Sequence, residues 1–453
     1  MKRFLVYSAL YVFTVAIIAA PFILVPHETV EYPVLRSIII FFASVLLTKY
    51  LVYMLVAPWH DVIRARHALK SSRRRSAGTS QPLVSVIIPA WNEEVGLLAT
   101  VKTVLANEYK RVEVIVVNDG STDNSDSMMK AFVSAYRASD EAASGMTIHY
   151  FYKENGGKGR ALNYGIEQAT GDIIMTIDAD CALTPSTIGN FVACFDDPTV
   201  MAAVGNVKIG NTDTILGTIQ YLEFLFSFYF KKTESVMNTI YIIGGAAGAF
   251  RREVFEKVGL YNHANITEDI ELSVRIQDQG MRIVYASDAV VYTEGASSLT
   301  GLMKQRLRWK RGRFQTFWQH KHLFLSLRSH HNKPLSWIIL PLALFGELQL
   351  LLEIPFLAFL YVYSYLTADY SSFLSGIIVV SSMFFVQVFF DDHSTKRLRF
   401  YLLAPIGWLL FYVSTFVEYN ALIKSVWGSL RKQELVWQKW ERKGCIQGET
   451  SVV

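Results

Sequence analysis

Hydrophobic positions fall into three regimes along the chain. From Phe4 to Val25 the residues are apolar and uncharged, and from Ser37 to Ala57 they are apolar again with Lys49 as the single charge. Each run is near the ~20 residues that a helix needs to span hydrocarbon, so residues 1–57 are expected to form two transmembrane helices. A signal peptide is the lesser reading of the first run, which is long and lacks a small-residue cleavage site. Residues 83–297 differ, alternating short β-branched runs with amphipathic stretches of about 10 to 15 residues, the pattern of βαβ units around a parallel sheet. The expected strands are Val84 to Ile88, Val112 to Val117, Thr147 to Tyr152 and Asp172 to Ile177. Beyond Pro334 the chain turns apolar once more, at Trp337 to Leu366, Phe373 to Phe390 and Phe400 to Leu422, with Glu347, Glu353 and Pro355 interrupting the first run.

The fold expected from this pattern is an α/β domain inserted between N-terminal and C-terminal transmembrane helices. A linker at 58–82, a helical and interfacial segment at 298–334, a membrane bundle at 335–424 and a tail at 425–453 complete the division. Composition agrees: of 453 residues 51% are hydrophobic and only 18% charged, against roughly 25% charged in soluble domains. Charge then orients the chain. The net charge is +5, and Arg64, Arg66, Lys70, Arg73, Arg74 and Arg75 crowd one stretch after the second apolar run. Basic residues beside a membrane helix stay on the cytoplasmic side, whereas the loop from His27 to Arg36, with Glu28 and Glu31, belongs outside. The basic cluster thus reads as a contact with the lipid bilayer, with nucleic acid the weaker reading. The 335–424 bundle reads as three spans, but three would put the tail residues Lys424, Arg431, Lys432, Lys439, Arg442 and Lys443 outside. A fourth crossing or a re-entrant segment therefore stays open. The cysteines, Cys181, Cys194 and Cys445, have neither disulfide-scaffold nor zinc-site spacing.

Candidate chemistry gathers at strand ends, where open α/β sheets bind ligands. Pro89-Ala90-Trp91-Asn92-Glu93-Glu94 follows the first strand, as a nucleotide-contacting loop or a plain turn with Asn92 capping the next helix. Asn118-Asp119-Gly120-Ser121 follows the second, with Asp119 placed to accept hydrogen bonds from a base or ribose or merely to cap a turn. Gly156-Gly157-Lys158-Gly159-Arg160 opens a helix with bare amides and cations, suited to phosphate although not a Walker A motif. Asp178-Ala179-Asp180 ends an apolar strand, and Asp-x-Asp puts two carboxylates on one side of an extended chain, as a hard divalent cation bridging diphosphate oxygens requires. Thr267-Glu268-Asp269 starts a helical pattern and either complements the helix dipole or furnishes a general base for an acceptor hydroxyl. Gln305, Arg308 and Trp309 share one helical face, offering a guanidinium for a leaving pyrophosphate and an indole for a sugar ring. Lys304, Arg306, Lys310 and Arg313 around them read as a basic surface lying on a membrane.

Taken in this order and flanked by apolar helices, these motifs resemble the membrane-bound family 2 glycosyltransferases of GT-A fold. Within that family the resemblance is to poly-N-acetylglucosamine synthases and chitin-oligosaccharide synthases, and more distantly to hyaluronan and cellulose synthases. It spans about Leu83 to His320. It implies a UDP-sugar donor, held by Pro89, Ala90, Asn92, Glu93, Asp119, Lys158 and Asp178, and Mg2+ or Mn2+ at Asp178 and Asp180. It further implies a catalytic base at Asp269 beside Glu268. Gly244 and Gly245 line the acceptor pocket by the same comparison, and Gln305, Arg308 and Trp309 hold the glycan acceptor and the diphosphate. The implied reaction is inverting transfer of a sugar, N-acetylglucosamine by resemblance, to a growing β-linked polysaccharide at the cytoplasmic face of the cell membrane. Export of the product, with accessory export or modification proteins, would accompany it. Trp91 stands where tyrosine is commoner in the family, and an FxVTxK gating segment and a cyclic-dinucleotide domain are missing, which disfavours cellulose synthesis. Two rivals remain: a non-processive transferase adding one sugar to a lipid or short glycan, and a transporter or receptor that only binds a nucleotide sugar.

Overall fold

Alternation of side chains along the first strand explains why the middle of the chain builds a two-sided core. In β1 (Val84–Ala90) the side chains of Val84, Val86 and Ile88 enter one buried cluster with Val101, Met129 and Phe191, while Ile87 enters the other with Ile115, Leu162 and Phe250. A strand covered on both faces reads as a continuous apolar run, as β1 and β2 (Val112–Asp119) do. In this computed structural model residues 37, 50, 52–66, 81–139, 145–368, 370–391, 397–431 and 442–444 are described.

The four expected strands form within two residues of their expected ends, with β3 at Thr147–Lys153 and β4 at Ile173–Thr176. Further strands follow: β5 (Cys181–Leu183), β6 (Val200–Ile209), β7 (Gly248–Arg251) and β8 (Arg282–Thr293). All eight join one sheet in the order β3-β2-β1-β4-β7-β6-β8-β5. The expectation of a parallel sheet holds for β3, β2, β1 and β4 and for the pairing of β6 with β8, and fails at β7 and β5. β1 pairs in parallel with β2 and β4, but β7 is antiparallel to β4 and β6, and β5 to β8. This reversal has a chemical consequence, because an antiparallel strand begins where its neighbour ends. The start of β7 lies beside the end of β4, through the pair Thr176 and Gly248, and the end of β8 lies beside the start of β5, through Cys181 and Thr293.

Two long helices carry the domain into the apolar region. Ile215–Met237 packs Tyr221 and Leu222 against Phe384 and Phe400, the Tyr221 and Phe400 rings stacked 4.3 Å apart. Leu299–Gln319 follows β8. The helices Leu340–Thr367, Ser371–Phe389 and Gly407–Leu430 follow. Leu335–Thr367 and Leu398–Gly428 are long and apolar enough to cross a membrane, and Gly376–Phe389 is a shorter apolar helix. The first of these runs is not interrupted: its helix continues through Glu347, Glu353 and Pro355. Most of the two expected N-terminal spans lies outside the described residues. Residues 52–66 form a helix that runs through the expected boundary at 57 and docks on the sheet domain. There His60 Nε2 is 3.0 Å from the Tyr285 carbonyl, Asp61 pairs with Lys232 at 2.9 Å, and Arg64 pairs with Asp288.

Candidate active site

The ends of β1 and β2 are knitted together by polar side chains. Asn92 adopts a left-handed conformation with φ of 52°. Its amide donates to Ser121 Oγ at 2.9 Å and its side-chain oxygen accepts from the Thr122 amide at 2.7 Å. Asn92 therefore braces the neighbouring loop and caps no helix; the next helix is preceded by Gly96. Pro89 and Ala90 are ladder residues of β1, opposite Val117 and Asn118. Asp119 is 3% exposed, and its carboxylate accepts from the amides of Gly156 at 3.0 Å and Gly157 at 2.7 Å and from Lys153 at 2.5 Å. The glycine loop is thus shaped by Asp119, which fixes the start of the helix Lys158–Gln168.

Beside this loop lies a second cluster. Lys158 Nζ sits 2.6 Å from Asp178 Oδ1 and 3.5 Å from Glu268 Oε1. Burial alone would lower the Lys158 pKa, but Asp178, Glu268 and Asp269 reverse this and hold the ammonium well above its ordinary range. Burial would raise Asp178; Lys158, Arg442 and Arg308 outweigh it and keep the carboxylate below its ordinary range. Glu268 is pushed up by burial, with Lys158 opposing and Asp269 reinforcing the rise. The antiparallel start of β7 completes the cluster by bringing in Gly244 and Gly245. The Gly245 amide donates to Asp269 Oδ2 at 2.9 Å, and a Cβ there would lie 2.5 Å from Lys158 Nζ. A side chain there would have to displace the Lys158 ammonium from its place beside Asp178, so glycine keeps the cluster compact. Gly244 has open space where a side chain would stand.

Gln305, Arg308 and Trp309 are half-buried on the helix Leu299–Gln319, and the Arg308 charge acts on both Asp178 and Glu268. Gly312 lets this helix press against the Thr-Glu-Asp turn, since a Cβ at that position would fall inside the Thr267 side chain. One face of the Trp309 ring is covered by the Arg306 guanidinium, 4.2 Å from its centroid. Of the four surrounding cations Lys304 is exposed, but Arg306, Lys310 and Arg313 do not form the expected membrane-surface face. Arg306 is 2% exposed and pairs with Glu223 at 2.9 Å and Glu418 at 3.1 Å. Lys310 pairs with Glu347 at 2.8 Å and Glu418 at 2.7 Å, and Arg313 with Glu347 at 2.7 Å. Acidic residues of the apolar helices turn these cations inward.

Sequence reasoning missed the tail. Arg442 pairs with Asp180 and lies 3.4 Å from Glu93. The amides of Lys443 and Gly444 donate to Glu294 at 2.8 and 3.0 Å. Asp180 also accepts from Thr293 Oγ1 at 3.2 Å, a contact set by the pairing of β5 with β8. Nothing in the spacing of Arg442 marks it out from its basic neighbours.

Two family models match: glycosyl transferase family 2 over residues 85–259 and glycosyl transferase family group 2 over residues 173–368. A poly-beta-1,6-N-acetyl-D-glucosamine synthase of Staphylococcus aureus is 32% identical over 231 residues, 51% of this chain and 54% of the relative. The chain thus spans about half the length of that relative. The synthase of the same description from Staphylococcus epidermidis is 28% identical over 324 residues, 69% of this chain and 76% of the relative. Among solved structures, a mannosyltransferase from Pyrobaculum calidifontis in complex with GDP-Man and Mn2+ superposes with a TM-score of 0.51 at 20% identity, covering 84% of this chain and 99% of its own. That likeness establishes the GT-A type of fold. The two matches overlap over residues 173–259 and together cover residues 85–368, and with the motif set they identify this region as a family 2 glycosyltransferase domain.

Proposed function

We propose that this chain transfers N-acetylglucosamine from a UDP-linked donor to the end of a growing β-linked polysaccharide, with inversion at the anomeric carbon. The observation that carries the reading is the setting of Asp269: its carboxylate is oriented by the Gly245 amide at 2.9 Å, beside the Lys158 and Asp178 pair. The polymer and the sugar are supported by the staphylococcal synthases. The two long apolar helices support residence in a membrane, and the basic residues after the second N-terminal apolar run support a cytoplasmic active site.

In this mechanism Asp269 takes the proton of the acceptor hydroxyl as that oxygen attacks the anomeric carbon. The bond from that carbon to the diphosphate breaks, and the diphosphate leaves with the electron pair. Lys158 and Arg308 offset the charge developing on it, and preorganised cations of this kind contribute several kcal/mol in a water-poor site. Asp178 and Asp180 suit a divalent cation, Mg2+ or Mn2+. Both are carboxylates at a strand end, and Asp180 already holds a cationic group, the Arg442 guanidinium. Such an ion would supply charge neutralisation for the donor diphosphate. Gln305 and Trp309 are proposed to hold the acceptor, and Asp119 with Asn92 and Glu93 to frame the nucleoside end.

The test is Asp269→Asn, assayed both for UDP release and for UDP binding. Loss of a positioned general base costs about 10²- to 10⁴-fold in rate, whereas binding at the β1 and β2 ends should persist. Turnover near the wild-type rate in this variant would remove Asp269 from the base role.

A further inference from the structure

Away from the donor site, the C-terminal ends of two helices meet at a cluster of imidazoles. Asp278 closes the helix Glu268–Asp278, and His320 and His322 follow the helix Leu299–Gln319, His322 within the short 3-10 turn Lys321–Leu323. One carboxylate oxygen of Asp278 and one nitrogen from each of the two histidines lie within 4.8 Å of one another. The nearest pair is His322 Nε2 and Asp278 Oδ1, 2.9 Å apart. Ligands around a zinc ion at about 2.0–2.1 Å stand roughly 3.4 Å from each other, so this cluster needs side-chain adjustment and no backbone rebuilding.

The neighbours of these groups are arranged as orienting partners. His320 turns Nε2 towards Glu271 Oε1 at 3.2 Å, while its Nδ1 is buried with no hydrogen-bond partner among the described residues. A carboxylate holding one ring nitrogen so that the other faces a cation is the usual way a metal-binding imidazole is fixed. His331, with its ring 1% exposed, holds Ser326 Oγ at 2.7 Å through Nδ1 and places Nε2 3.1 Å from the same Asp278 oxygen that faces His322. That oxygen therefore has imidazole on two sides.

We propose that Asp278, His320 and His322 form a binding site for a borderline divalent transition metal such as Zn2+, with Glu271 and His331 orienting the ligands and water completing the coordination. Two imidazoles and one carboxylate suit Zn2+, Co2+ or Ni2+, whereas Mg2+ prefers oxygen ligands such as Asp178 and Asp180. An ion here would pin together the far ends of the helices that carry Asp269 and the Gln305 to Trp309 face.

The test uses the full-length chain, purified in detergent without a histidine tag and titrated with Co2+ in excess Mg2+, with visible absorption of imidazole-bound Co2+ as the readout. One Co2+ per chain, displaced by Zn2+, is expected. His322→Ala removes a ring that is 39% exposed and so should fold normally. It and Asp278→Asn should each weaken Co2+ binding by at least about ten-fold. His330→Ala, which alters an exposed neighbour outside the ligand set, should leave the affinity unchanged and serves as the control. A wild-type chain with no saturable Co2+ signal would overturn the proposal. So would wild-type affinity in both ligand variants, or an equal loss in His330→Ala.

Discussion

The helix Leu299–Gln319 carries two charged faces that follow different rules. On one, Arg306, Lys310 and Arg313 meet Glu223, Glu347 and Glu418, three cations against three carboxylates, at 2.7 to 3.1 Å. On the other, Arg308 joins Lys158 and Arg442 in facing Asp178, Asp180, Glu93, Glu268 and Asp269, three cations against five carboxylates. Charge taken out of water is tolerated when each ion is paired, and the first face meets that condition within the protein. On the second, the described residues offer more carboxylates than cations. Its surplus of carboxylate favours one further cation, and a divalent ion there would turn an acidic pocket into one that accepts a diphosphate. Balanced pairing lies on the face that packs the helix in place, and the imbalance lies on the face proposed to bind the donor.

The largest effect should come from breaking the balanced face. Arg306→Ala leaves Glu223 and Glu418 short of a cation beside the apolar helices, a change that typically costs about 3–5 kcal/mol. Thermal unfolding in detergent should show a large drop, while Lys158→Ala on the unbalanced face should lower transfer with little change in melting. A wild-type melting curve for Arg306→Ala would break the comparison outright. The next effect tests how the two faces are joined. Gly312→Ala pushes the helix off Thr267, the residue before Glu268 and Asp269. Displacing a catalytic group by about 1 Å can cost on the order of 100-fold, so kcat/KM should fall by that order with UDP binding retained. Equal losses of binding and turnover would instead mean that the donor site itself had collapsed.

Legibility from sequence followed locality. The first four strands were readable because each is a β-branched run ending at a motif. β6 and β8 were not, since Val200–Ile209 and Arg282–Thr293 are diluted with alanine, glycine and polar residues and owe their strand state to pairing with each other. The Asp178, Asp180 and Asp269 carboxylates stand out by motif, and the structure groups Asp178 and Asp269 around Lys158. Gly245 was placed by resemblance, and its reason is tertiary: an antiparallel β7 that no local pattern announces. The inward turn of Arg306, Lys310 and Arg313 was misread for a related cause. Helical periodicity gives a face, but which face meets Glu347 and Glu418 depends on the packing of helices far apart in sequence.

Arg442 gives the smallest and most discriminating test of the comparison. It reaches the unbalanced face from the tail, where its guanidinium neutralises Asp180 and approaches Glu93. If the surplus carboxylate is what draws a divalent ion, Arg442 and that ion compete for Asp180, and removing the guanidinium should tighten the binding of Mn2+. The gain is bounded by the worth of the pair. Arg442 and Asp180 are 18% and 7% exposed in their side chains, so a contribution near the upper end for partly screened pairs, about 1 kcal/mol, is expected. That corresponds to about a five-fold lower Kd for Mn2+ in Arg442→Ala, read by direct titration without donor. An unchanged Kd would show that the tail and the ion do not share Asp180. A weaker Kd would show that Arg442 helps to assemble the site, and in either case charge imbalance alone would no longer distinguish the binding face from the structural one.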